Sequence, residues 1–103
     1  MAQVIVHINY IKSKHYKIVV NIDRKGPKTI ILKVHLPYGI YLKNARPSPI
    51  SYNNRYGIIK WILSCHKRHS IFVEIITNKD AIINVSLKYR DPTTKRIITR
   101  YFK

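Results

Sequence analysis

Acids are the scarcest class in this sequence. Four carboxylates, Asp23, Glu74, Asp80 and Asp91, stand against twenty lysines and arginines in 103 residues, a net charge of +16. Most cations therefore have no internal partner, and the surface repels itself unless salt or a ligand screens it. Clustered carboxylates, which a metal-dependent nuclease needs to hold its ion, are excluded, because Asp23, Asp80 and Asp91 fall in turns and Glu74 is alone on a strand. A single cysteine excludes an internal disulfide. Three glycines scattered at 26, 39 and 57 exclude a glycine-rich phosphate loop. No run approaches the roughly 18 apolar residues of a spanning helix. The opening MAQVIVHINY is broken by His7 and Asn9 where a secretory leader would be continuously apolar, so no secretion is expected.

What is present is a hydrophobic fraction of 46%, far above that of a disordered chain, so a folded domain carries this charge. Polyanions are the partners such a field attracts first, nucleic acid before an anionic membrane surface or an acidic protein. The apolar content is itself biased: isoleucine supplies 19 positions, Ile, Lys, Asn and Tyr together 47, and alanine three. This composition resembles that of the small orphan proteins of filamentous viruses infecting hyperthermophilic archaea, of the Acidianus filamentous virus type. The resemblance implies a host cytoplasm or a virion as location and carries no functional residue.

Period-two alternation dominates the chain and predicts half-buried strands. In VIVHINY, Val4, Val6, Ile8 and Tyr10 share one face. The pattern recurs in Tyr16–Ile22, Ile30–Leu36, Ile59–Leu63, Ile71–Ile75, Ile83–Tyr89 and Ile97–Tyr101. Turn chemistry separates these runs, and only GIIKWILS at 57–64 is dense enough in apolar residues to read alternatively as a short buried helix. NARPSPISYNNR, 44–55, has two prolines, three asparagines and no period, and reads as a crossing loop.

Residues 4–22 lie over 57–75 without a gap, matching Ile5 to Ile58, Lys14 to Lys67, Ile18 to Ile71, Val20 to Val73 and Ile22 to Ile75. After a loop two residues shorter, 30–36 falls on 81–87, Val34 meeting Val85. The expected fold is all-β: one domain of seven or eight antiparallel strands in two similar tandem motifs, 1–43 and 56–103, joined by loop 44–55. The motifs pack about a pseudo-twofold axis as a small sandwich or open barrel, each beginning with a hairpin.

SCHKRHS, 64–70, holds Cys65, His66 and His69 and raises the question of a metal or catalytic site. Adjacent Cys and His rarely converge on one ion and no second cysteine exists, so no metal is assigned. A Cys65–His69 dyad lacks an orienting group and an oxyanion donor. His7 and His35 each lack the second histidine, two residues on, that rolling-circle nucleases use. No catalytic residue and no cofactor is expected. Positive charge is what the stretch shares with its counterpart IKSKHYK at 11–17. The expected function is sequence-independent nucleic-acid binding: Lys12, Lys14, Lys17, Lys67 and Arg68 at two hairpin tips and Lys95, Arg96 and Arg100 near the C-terminus contact phosphates, while Tyr10, Tyr16, Tyr52, Tyr56, Tyr89 and Tyr101 offer rings for stacking. The alternative is a protein-interaction module that takes an extended peptide into the groove between the two motifs.

Overall fold

The computed structural model describes residues 4–65 and 69–103. Alternation sets the architecture. In β2 (His15–Ile22), Tyr16, Ile18, Val20 and Ile22 are buried while the intervening residues face outward, and β3 (Thr29–His35) buries Ile30, Leu32 and Val34 in the same rhythm. With β1 (Val4–Lys12), β6 (Ile58–Ser64), β7 (Ser70–Thr77), β8 (Asn84–Arg90) and β9 (Ile97–Phe102), every run expected from the period-two pattern is a strand. GIIKWILS is β6 and not a helix, with Ile59 and Trp61 buried. Two further strands, β4 (Leu42–Arg46) and β5 (Ser51–Asn53), occupy half of the stretch expected to be a crossing loop.

The nine strands form a four-stranded sheet, ordered β1-β2-β7-β4, and a five-stranded sheet, ordered β5-β6-β3-β8-β9, with every pairing antiparallel. Their inner faces enclose one core: Tyr16, Ile18, Val20, Val73 and Ile75 from the first meet Ile30, Leu32, Val34, Ile59, Trp61, Val85 and Leu87 from the second. This is a small β-sandwich. Polar groups tie the two sheets together at their rims. Arg100 in β9 donates to the Val4 carbonyl of β1 at 2.7 Å, and the Leu42 amide of β4 donates to the Tyr52 hydroxyl of β5 at 3.1 Å.

At the centre of each sheet, strands matched by the internal alignment are paired. β2 pairs with β7 so that Val19 faces Phe72, and β3 pairs with β8 so that Val34 faces Val85. The internal alignment superposes both pairs, the first in its gap-free part and the second after the shorter loop. The outer strands depart from it. β1 and β2 form a hairpin, but β6 lies beside β3 in one sheet and β7 beside β2 in the other, so 57–75 is a crossover between sheets and not a second hairpin.

That interleaving corrects one expectation. Each sheet combines strands from both halves, so the expected groove between two separate motifs, which was to receive a peptide, is not formed. Antiparallel pairing of β2 with β7 sets His15 against Ile76 and Asn21 against Ser70.

Candidate functional site

Of the residues expected to contact phosphate, the six that are described are dispersed. Lys14 stands in the left-handed region (φ 64°) in the β1–β2 turn, where Asp80 accepts from its amide at 2.5 Å and from Ser13 Oγ at 2.9 Å. Lys12 lies at the end of β1 in the same turn. The Lys17 ammonium sits 4.1 Å over the Phe72 ring. Lys95 (φ 64°) and Arg96 form the β8–β9 turn around Asp91, and Arg100 is the rim clamp, its guanidinium also against the Phe102 ring. Lys67 and Arg68 lie outside the described residues. Tyr16 and Tyr89 are core, and Tyr52 points inward; of the six rings only Tyr10, Tyr56 and Tyr101 are exposed.

No described cluster of three or more His, Cys, Asp or Glu side chains is placed to hold a metal. Burial pushes the Cys65 thiol up to about 11, so it is neither thiolate nor nucleophile at neutral pH.

A different constellation lies on the outward face of the four-stranded sheet, built from positions of opposite parity to the core. Ile71, Val73 and Ile75 of β7 point inward, so Phe72 and Glu74 point outward. Phe72 keeps half of its surface open, with Val19 directly across from it in β2. In the next row the register sets Asn9, Lys17, Glu74 and Arg46 side by side across the four strands. Glu74 Oε2 accepts from Arg46 Nη2 at 2.8 Å and lies 3.3 Å from His15 Nε2. The hydrogen bond from Arg46 holds the Glu74 carboxyl below its usual range, the proximity of His15 adding to it, so Glu74 is an ionised acceptor at neutral pH. The Nδ1 atom of His15 is buried without a hydrogen-bond partner.

Beside this row the sandwich opens into a cleft of about 930 Å³. β4 covers β7 only as far as Glu74, and β5 covers β6 only as far as Lys60. The uncovered ends of β6 and β7 leave Ile62, Leu63 and Ile71 as an apolar floor, with Phe72 on one wall and Arg46 and Glu74 on the rim. Such a site offers a flat apolar surface next to paired donors and acceptors. Neither Phe72 nor Arg46 stood out in the sequence. The usable signal was parity, an aromatic and the chain's only strand carboxylate at successive outward positions of β7.

No family model and no curated protein matches the chain. Its fold is found among solved structures. The chitin-binding domain of the hyperthermophilic chitinase from Pyrococcus furiosus matches in solution with a TM-score of 0.57 at 17% identity, over 94% of this chain and 91% of that domain. A crystal structure of a chitin-binding domain of chitinase from the same organism gives 0.60 at 17% identity over 95% and 98%. ChBD2 from Thermococcus kodakarensis KOD1 gives 0.55 at 12% identity over 85% and 88%. At such identities the likeness establishes the fold. It also corrects the expected function: these matches are chitin-binding domains, neither nucleic-acid-binding, peptide-binding nor viral proteins, and the dispersal of the predicted cations agrees with that correction.

Proposed function

We propose that the chain is a non-catalytic carbohydrate-binding domain that holds a neutral, chitin-like polysaccharide along the Phe72 face and its cleft. The observation that carries this reading is the half-exposed Phe72 ring between an apolar floor and the Glu74–Arg46 pair. The fold, spanning nearly the whole chain in domains described as chitin-binding, supports it. A pyranose ring is apolar on its C–H faces and polar at its edge. One such face lies on Phe72 and the floor of the cleft, where the electron-rich ring attracts the C–H dipoles. Hydroxyls at the sugar edge then reach Arg46 as donor and Glu74 as acceptor, charge-assisted bonds of the stronger kind.

Hydrolysis of a glycosidic bond commonly takes two carboxyl groups flanking it. Glu74 is alone on its sheet face, while the other acids serve turns: Asp23 receives the Lys25 amide, Asp80 the Lys14 amide and Asp91 the Thr93 amide. This supports binding without cleavage.

Depletion of the protein from solution by insoluble chitin tests the proposal. Phe72→Ala is expected to weaken retention about tenfold, since a sugar covering the open half of the ring gains roughly 1–1.5 kcal/mol, with only a small fall in the urea midpoint because half of the side chain is exposed. Failure of the native chain to bind chitin, or full retention by the Phe72→Ala variant, would overturn it.

A further inference from the structure

The outward face of the five-stranded sheet is the second surface of the sandwich, and its charge pattern differs from that of the first. One row of the register runs Ser51, Lys60, Lys33, Ser86, Tyr101 across all five strands. In the adjacent row Lys88 lies opposite Ile31, diagonal to Lys33. Lys33 and Lys60 are direct cross-strand partners, an arrangement that destabilises a sheet. None of the four carboxylates is on this face. The two ion pairs among the described residues both involve Glu74, on the opposite sheet. Hydroxyls and a ring complete the row: Ser86 Oγ is 2.9 Å from His35 Nε2, and Tyr101 is 78% exposed.

We propose that this face binds an acidic polysaccharide, with Lys33, Lys60 and Lys88 taking its carboxylates and Tyr101 stacking on one of its sugar rings. Charge complementarity selects the occupant: three unpaired ammonium groups on a broad sheet with no acid among them. The spacing also fits, since adjacent strands are about 4.8 Å apart, close to the length of one sugar residue in an extended chain. A ribbon lying along the row therefore meets a new strand at each residue, with Lys60, Lys33 and Tyr101 presented to it and Ser86 buried between them. The class of polymer rests on the carbohydrate reading above, but the face does not include Phe72 and meets its cleft only at Ile62, which the register sets in the row of Ile31 and Lys88.

Affinity electrophoresis of the native chain in gels containing polygalacturonate tests the inference, with chitin depletion run in parallel. The double variant Lys33→Gln/Lys60→Gln is expected to bind polygalacturonate roughly tenfold more weakly and to keep its retention on chitin. Lys43→Gln/Lys79→Gln, which removes the same charge elsewhere, is expected to retain binding. Tyr101→Ala is expected to weaken polygalacturonate binding at high salt, where stacking persists and charge is screened. Chitin binding without polygalacturonate binding would overturn the inference and leave the proposed function standing. Polygalacturonate binding without chitin binding would do the reverse. Equal losses in the two double variants, or tighter binding of a DNA oligonucleotide than of polygalacturonate, would show a diffuse charge effect and overturn the inference.

Discussion

His35 sits at the edge of the lysine row, and its environment sets a pH dependence. Burial lowers its pKa from 6.5, and the charge of Lys33 beside it adds to the shift. On acidification the unfolded chain therefore takes up this proton before the folded one does. Stability from this source is full above the ordinary histidine value and declines as pH falls through it towards the folded-state value. Thermal melts between about pH 7.5 and about pH 5 should show a falling midpoint, and His35→Gln should flatten that limb while leaving the carboxylate limb from Glu74 at lower pH. Gly57 presents a steric case. It adopts φ +69°, and a Cβ there would lie 2.5 Å from the Leu36 carbonyl oxygen, while its own carbonyl accepts from the Leu36 amide at 2.7 Å. Gly57→Ala is expected to lower stability by about 1–3 kcal/mol in urea titration. At this scale the sequence was informative about burial and poor about roles. It placed Val20, Leu32 and Val85 inside, whereas the pairing of Glu74 with Arg46, 28 residues apart, depends on a register that no local pattern encodes.

Among the elements, the strands legible in the sequence were those whose inner faces are unbroken. β4 escaped because its register slips between Leu42 and Asn44, so Leu42 and Ala45, its inward residues, are three apart and not two. β5 escaped because three residues with one inward ring, Tyr52, make no period. Which strands neighbour which was equally hidden: β6 and β7 are consecutive and joined by few residues, the usual mark of a hairpin, yet they lie in different sheets. Arg100 illustrates the consequence for function. Its place on a basic C-terminal strand marks it as a ligand contact, but in the sandwich it spans the rim to Val4. Arg100→Ala is accordingly expected to reduce stability by about 1.5–3 kcal/mol, the range for a charge-assisted hydrogen bond, with chitin retention unaltered. Denaturation curves and depletion assays on the same preparation distinguish the two roles.

For the molecule as a whole, the excess of sixteen positive charges is a standing cost to the compact state. Raising salt from about 10 mM to about 1 M shortens the screening length from about 30 Å to about 3 Å and should raise the melting midpoint, more strongly than for a neutral sandwich of this size. The interleaved strand order carries a further consequence. Residues 1–53 contribute β1 to β5, and residues 54–103 contribute β6 to β9. Every central pairing, β2 with β7, β3 with β6 and β3 with β8, joins the two portions. A polypeptide severed in the exposed turn after Asn54 would thus yield two pieces, neither able to close a hydrophobic interior alone, that reconstitute the native particle when mixed.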